Sequence, residues 1–115
     1  MTSKERAPLT EPMFYILMSL LNHDLCGTEI TQAVQERTGG RVTLGPGTLY
    51  TILGKFQKQN WIQEIVVSGR KRTYRITPNG VAAYREELAR LHACLHDAQA
   101  EETTQAAPDG IPAIQ

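Results

Sequence analysis

The chain has 115 residues, 41% of them apolar and 21% charged, enough for one modest hydrophobic core but not for two ordinary ones. Its 12 basic and 12 acidic residues cancel, and no apolar run suits a membrane span or a secretion signal. Cys26 and Cys94 lie far apart and outside any CxxC spacing, so neither a disulfide scaffold nor a zinc knuckle is indicated. We therefore predict a single soluble, cytoplasmic domain without a cofactor.

The neutral total hides a strong asymmetry of charge along the chain. From Arg37 to Arg75 there are eight Lys or Arg residues and one acid, Glu64, whereas the remainder has four basic and eleven acidic residues. A local positive field of this kind favours a polyanionic partner such as nucleic acid. The alternative is a basic surface that binds nothing.

Two helices are predicted in the first third of the chain. Residues 1–9 are expected to be flexible. Thr10-Glu11-Pro12 is typical of a helix start, and the apolar segment 13–21 that follows predicts a largely buried helix. Apolar periodicity predicts a second, amphipathic helix over residues 29–37, which ends at Gly39-Gly40.

A third helix is predicted to begin with Gly45 as the N-cap and Pro46 at the first helical position, where the missing N–H of proline costs nothing. Leu44 and Leu49 then occupy the two positions of a hydrophobic staple. The inward stripe consists of Leu49, Ile52, Leu53 and Phe56. The outward residues are Gly47, Thr48, Tyr50, Thr51, Lys55 and Lys58. Little bulk and free backbone N–H groups at such a helix start suit the approach of a phosphate.

A short β-hairpin follows, with strands predicted over residues 62–67 and 73–77 because both segments are rich in β-branched and aromatic residues. Its turn carries Arg70, Lys71 and Arg72. Trp61, which precedes the first strand, is expected to pack in the core rather than against an effector.

A final helix is predicted over residues 78–98, opened by Thr77 and a proline. Its apolar stripe consists of Val81, Tyr84, Leu88, Leu91 and Leu95. This stripe is longer than one small domain can cover, so we expect it to form a dimer interface. Residues 99–115 lose the periodicity and are expected to be disordered.

This order of elements predicts a winged helix-turn-helix: mainly α, with a small β-hairpin and a C-terminal dimerisation helix. Three segments carry a closer resemblance: Pro46-Gly47-Thr48-Leu49-Tyr50, Asn60-Trp61-Ile62, and Tyr74-Arg75-Ile76-Thr77 with Gly80. They resemble the PadR-like family of transcriptional regulators, in its short subfamily with one C-terminal helix. The resemblance covers residues 9–98.

The resemblance implies a winged-helix DNA-binding domain over residues 10–77 and a dimerisation helix over 78–98. The residues expected to contact DNA are Gly47, Thr48, Tyr50, Thr51, Lys55, Lys58, Arg70, Lys71 and Arg72. The third helix would enter the major groove, and the hairpin would hold flanking phosphates. A homodimer would then bind a pseudo-palindromic operator, act as a repressor, and be released by a small apolar or aromatic effector.

Each of these assignments has a plainer alternative. Tyr50 could be an ordinary surface aromatic, and the hydroxyls of Thr48 and Thr51 could satisfy nearby backbone groups. The basic turn could be simply solvated. The whole domain could be a protein–protein interaction module whose leucine face, Leu88, Leu91 and Leu95, docks a different partner without specific DNA binding.

Metal binding and catalysis are not predicted. His92 and His96 share one face of the last helix, and this spacing can hold Zn²⁺ when other ligands converge, but no further ligand pair lies nearby in the sequence. Cys94 lacks a strongly basic environment that would make it a redox sensor, and Cys26 is expected to be a small buried residue. An enzyme is not indicated, because Gly45-Pro46-Gly47 lacks the lysine of a phosphate-binding loop and no nucleophile–base pair is visible.

Overall fold

The computed structural model describes residues 7–69 and 71–106. Within them the chain forms four helices and three short strands, which confirms the predicted fold class. In chain order these are α1 Glu11–Ser19, β1 Leu25–Cys26, α2 Gly27–Arg37, α3 Pro46–Lys58, β2 Ile62–Ser68, β3 Lys71–Ile76 and α4 Pro78–Ala106. None of the helices in this part of the chain is long and apolar enough to cross a membrane.

The first two helices start with different kinds of cap. Thr10 caps α1 as predicted, its hydroxyl oxygen accepting the N–H of Met13 at 3.3 Å. Helix α2 begins at Gly27, two residues before the predicted start, because Cys26 is the N-cap and Glu29 supplies the capping bond. The Glu29 carboxylate accepts the N–H of Cys26 at 2.9 Å, and this bond holds the pKa of Glu29 below its ordinary value.

The three strands form one antiparallel sheet in the order β1-β3-β2. Strand β1 was not predicted. It pairs Leu25 with Tyr74 and Cys26 with Thr73. Strand β3 begins at Lys71, two residues earlier than predicted, because the ladder with β2 continues as far as the pair Ser68–Lys71.

The core lies between the helices and one face of the sheet. Its fully buried centre includes Ile16, Leu17, Ile30, Leu53 and Phe56. The ring centroids of Phe56 and Trp61 are 5.3 Å apart, and Trp61 is buried, which confirms its predicted place in the core.

Helix α4 has two parts with different surroundings. In the first part, Tyr84 is buried and stacks on Phe14 with a centroid distance of 5.0 Å and an interplanar angle of 8°. Leu88 is partly buried against the same core. The core of the chain itself therefore covers much of the surface of Tyr84 and Leu88, and their place at a dimer interface stays a prediction.

The second part of α4 is exposed and longer than predicted. Helix α4 continues to Ala106, eight residues past the predicted end at Ala98, so the first part of the segment expected to be disordered is helical. No glycine or proline interrupts the sequence between Val81 and Ala106, and most of the residues there are good helix formers. The rest of the predicted tail, 107–115, lies outside the described residues.

The end of α3 is tied to the start of α4 by a compact junction. Asn60 has a φ of 60°, the left-handed conformation predicted for it. The Thr77 hydroxyl donates to the Asn60 carbonyl at 2.6 Å and accepts the N–H of Gly80 at 3.1 Å, while the Thr77 N–H donates to the Trp61 carbonyl at 2.9 Å. This junction fixes the start of α4 relative to the end of α3.

The N-terminal segment is held to α4 by Glu87. This carboxylate is only 6% exposed, and it accepts the N–H of Leu9 at 3.3 Å and hydrogen bonds from the Arg90 guanidinium. The bond from Arg90 contributes most to holding the pKa of Glu87 below its ordinary value, while burial acts in the opposite direction.

We expect Glu87 to make the stability of the fold depend on pH in the acid range. A carboxyl whose pKa is lower in the folded state contributes stability above its unfolded pKa, about 4.3, and loses that contribution as the pH falls through the folded pKa. The excess free energy of unfolding of the wild type over Glu87→Gln should therefore be largest near neutral pH and shrink in acid. Urea unfolding at several pH values measures this difference in the free energy of unfolding.

Glu101→Gln, in the exposed part of α4, is the control and should change stability by less than about 0.5 kcal/mol at neutral pH. A gap that is the same at acid and neutral pH would contradict the assignment.

Candidate nucleic-acid interface

One face of α3 is buried and the other is open to solvent. Gly45 is the N-cap and Pro46 the first helical residue, as predicted. The four residues of the predicted inward stripe are buried: Leu49, Ile52, Leu53 and Phe56. The six residues of the predicted outward face are exposed: Gly47, Thr48, Tyr50, Thr51, Lys55 and Lys58. The sequence therefore sorts the two faces of this helix correctly.

Two residues of the predicted basic turn belong to a strand rather than to a loop. Lys71 and Arg72 open β3 and are exposed, and the Arg72 guanidinium lies 3.6 Å from the Glu64 carboxylate on β2. Arg70 lies outside the described residues. Because the two cations are part of a paired strand, their backbone is held in place before any partner binds.

The exposed side of α3 meets the hairpin at an open cleft of about 600 Å³. Its lining combines the predicted residues Tyr50, Lys71 and Arg72 with the start of α2 from Cys26 to Glu29. The structure thus brings three of the predicted contact residues together from two separate elements. Gly47, Thr48, Thr51, Lys55 and Lys58 lie on α3 outside the lining of this cleft.

The start of α2 was not predicted to be part of this surface. Gly27 and Glu29 line the cleft, and no charge or aromatic residue at Gly27-Thr28 pointed to them. The available signal was the cap: a helix whose N-cap is Cys26 presents its first turn toward the hairpin, because β1 immediately precedes the helix and pairs with β3.

Some of the basic residues from Arg37 to Arg75 form ion pairs within the chain, and others do not. Arg41 pairs with Glu11, and Arg75 binds Asp24 through two hydrogen bonds, of 3.2 and 2.7 Å. The bond from Arg75 keeps the pKa of Asp24 below its ordinary value. Lys55 and Lys58 have no ion pair among residues 7–69 and 71–106. Fewer cations are therefore available to bind an anionic partner than the eight Lys or Arg residues from Arg37 to Arg75 suggest.

The metal alternative gains no support from the described residues. Residues 7–69 and 71–106 hold no group of three or more His, Cys, Asp or Glu side chains that could bind a metal ion. Cys94 is exposed, with its sulfur 3.9 Å from a guanidinium nitrogen of Arg90, and His92 and His96 are also exposed.

The chain is similar in sequence to one known family of proteins and to a curated relative. The sequence profile of the transcriptional regulator PadR-like family matches residues 16–86. An uncharacterised protein of Lysinibacillus sphaericus is 32% identical over 79 residues, which are 65% of this chain and 72% of that protein.

Solved structures with the same fold include several regulators. A transcriptional regulator from Clostridium thermocellum is 25% identical, with a TM-score of 0.69 over 76% of this chain and 86% of that one. A PadR family regulator from Clostridium difficile is 19% identical, with a TM-score of 0.67 over 78% and 96%. Bacillus subtilis PadR, solved in complex with operator DNA, is 24% identical, with a TM-score of 0.62 over 70% of this chain and 48% of that one.

Proposed function

The chain belongs to the PadR-like family of transcriptional regulators, which is not a family of enzymes, and on this premise we propose that it is a homodimeric repressor of a pseudo-palindromic operator. The observation that carries the proposal is the exposed polar face of α3 beside two cations of the hairpin at one cleft. A structural relative, Bacillus subtilis PadR, was solved in complex with operator DNA, which supports DNA as the proposed partner.

The proposed contacts divide into two kinds. Thr48, Tyr50 and Thr51, near the N-terminus of α3, would face base edges in the major groove, with the Gly47 backbone close to a phosphate. The proposed phosphate contacts are Lys55, Lys58, Arg70, Lys71 and Arg72. Phosphate contacts fix the position of the protein on the duplex, and base contacts select the sequence.

The proposed dimer uses the exposed part of α4. Leu91 is 38% exposed and Leu95 is 53% exposed, and both lie on one side of a helix whose residues 89–101 are all exposed. Two large apolar side chains on such a helix are best covered by a second copy, since a two-fold axis would pair the same face with itself. The two α3 helices would then read half-sites about one helical turn, roughly 10 bp, apart.

We expect the double substitution Leu91→Glu with Leu95→Glu to convert the dimer into a monomer while α4 stays helical. Four acidic side chains facing one another across the two-fold axis would be strongly unfavourable. Binding to a two-half-site operator should weaken about 100-fold or more, because the second half-site is no longer bound intramolecularly. Sedimentation velocity and gel retardation measure the two effects. Ala93→Glu is the control, because position 93 lies on the opposite side of the helix. A double variant that stays dimeric would contradict this interface.

The effector belongs to the same proposal. A small apolar or aromatic compound bound between the subunits would lie at a surface that forms only in the dimer. Its existence stays a prediction, as does repression rather than activation.

Selection of duplexes from a randomised DNA library tests the proposed function directly. The wild-type chain should enrich an inverted repeat, and footprinting should show two protected half-sites related by two-fold symmetry. Enrichment of a single undivided site would contradict the dimer. If no duplex is enriched, the chain is not a sequence-specific DNA-binding protein, and the interaction-module alternative is favoured.

A further inference from the structure

The Tyr50 side chain lies against the first turn of α2. A Cβ atom placed on Gly27 would overlap the Tyr50 hydroxyl and lie 3.0 Å from Tyr50 Cζ and 3.4 Å from Leu49 Cδ2. Gly27 is buried, although its neighbour Thr28 is exposed. The tyrosine therefore occupies the space in which any other residue at position 27 would carry its side chain.

The need for glycine at this position is one of space and not of backbone conformation. Gly27 is the first residue of α2, and among the described residues the glycines with positive φ are Gly39, Gly40 and Gly69. Alanine fits a helical backbone better than glycine does. The close approach of Tyr50 is thus the structural feature that opposes alanine here.

Tyr50 also reaches toward the sheet. Tyr50 lines one cleft together with Lys71 and Arg72, the first two residues of β3. One side chain from α3 therefore contacts α2 and lies beside the strand that carries the hairpin cations.

We propose that Gly27 is a positioning residue for DNA binding, because its missing side chain allows Tyr50 to hold α3, the start of α2 and the hairpin in one fixed arrangement. Tyr50 is 52% exposed, and without this contact its ring would be free to change rotamer. A fixed arrangement means that less freedom is lost on binding, which raises affinity. This inference rests on the proposed function, since it concerns how the same surface binds a duplex.

A double-mutant cycle between positions 27 and 50 tests the proposal. The four proteins are the wild type, Gly27→Ala, Tyr50→Phe and the double variant. Each is measured for thermal unfolding and for binding to the duplex that the wild-type chain selects.

Gly27→Ala should weaken binding about tenfold or more in the Tyr50 background, the size of effect expected when a base contact is misplaced. In the Tyr50→Phe background the same change should weaken binding less than about threefold, because the overlap with the hydroxyl is gone and only the 3.0 Å approach to Cζ remains. Gln35→Ala, on the exposed side of α2, is the control and should bind like the wild type.

The possible outcomes separate this proposal from the proposed function. Wild-type binding to a selected duplex supports the function whatever the cycle shows. Equal losses in both backgrounds, or no loss from Gly27→Ala, would overturn the positioning role. If Gly27→Ala fails to fold but the double variant folds, the overlap is with the Tyr50 hydroxyl, and the proposal stands if the double variant binds the duplex within about threefold of Tyr50→Phe and is overturned if it does not. If neither folds, the overlap is one that Tyr50 cannot relieve, and the proposal fails.

Discussion

The Gly80→Ala substitution is expected to lower the free energy of unfolding by about 3 kcal/mol or more, at the upper end of the costs of overpacking a core. A Cβ atom at this position would overlap the backbone carbonyl oxygen of Trp61 and lie 2.7 Å from Ile76 Cγ1 and 3.0 Å from the Trp61 carbonyl carbon. A backbone carbonyl cannot turn aside as a flexible side chain can. The added methyl group must therefore push α4 away from the end of α3 and break the bond from the Gly80 N–H to the Thr77 hydroxyl.

Urea unfolding followed by circular dichroism measures this loss. Gly54→Ala is the matched control, because a Cβ atom at Gly54 meets nothing within 4 Å and the position is exposed within α3. There the same change should stabilise the fold by up to about 1 kcal/mol through helix propensity. Similar effects at the two positions would show that the junction does not have the described packing.

The double substitution Lys71→Gln with Arg72→Gln is expected to reduce operator affinity at least about tenfold and to flatten its dependence on salt. Each phosphate contact contributes about −0.9 to the slope of log affinity against log salt concentration, so loss of two contacts should reduce the slope by about 1.8 in magnitude for each protomer. The affinity loss should be similar for matched and mismatched duplexes, since phosphate contacts carry no sequence information.

Fluorescence anisotropy with a labelled duplex across a range of salt concentrations checks both quantities. Arg85→Gln removes one positive charge from an exposed site on α4 away from the cleft, against two in the hairpin variant, and should leave the slope nearly unchanged. An unchanged slope in the hairpin variant would remove Lys71 and Arg72 from the DNA-binding surface. A slope reduced about half as much by Arg85→Gln as by the hairpin variant would mean that net charge alone controls the affinity.

Local chemistry explains which parts of the fold the sequence predicts well. Gly45 and Pro46 place the start of α3 correctly, because a proline at the first helical position and a staple of Leu44 and Leu49 leave few alternatives. The resemblance carried by residues 46–50 is confirmed by the family match over residues 16–86. The early start of α2 was missed because Cys26 has a weak capping side chain, and Glu29 supplies the bond instead.

The sequence alone does not show which residues, of the same chain or of another, cover each apolar face. The stripe from Val81 to Leu95 is continuous in sequence, but Tyr84 is covered by Phe14 of the same chain while Leu95 is exposed. Periodicity shows that a face is apolar and not what covers it. Strand β1 has only two residues, too few for alternation to be visible, and the contact between Gly27 and Tyr50 joins residues 23 positions apart.

The junction at Thr77 couples the position of α4 to that of α3. Because the hydroxyl of Thr77 bonds both Asn60, just past the end of α3, and Gly80, in the first turn of α4, a change in the orientation of α4 would be transmitted to the end of α3. Sliding two paired helices past each other by one turn moves them about 5.4 Å, which is more than the 3.4 Å between successive base pairs. In a dimer built on α4, the distance between the two half-sites would therefore depend on the register in which the two α4 helices pair. It would not depend on the length of the side chains that contact DNA.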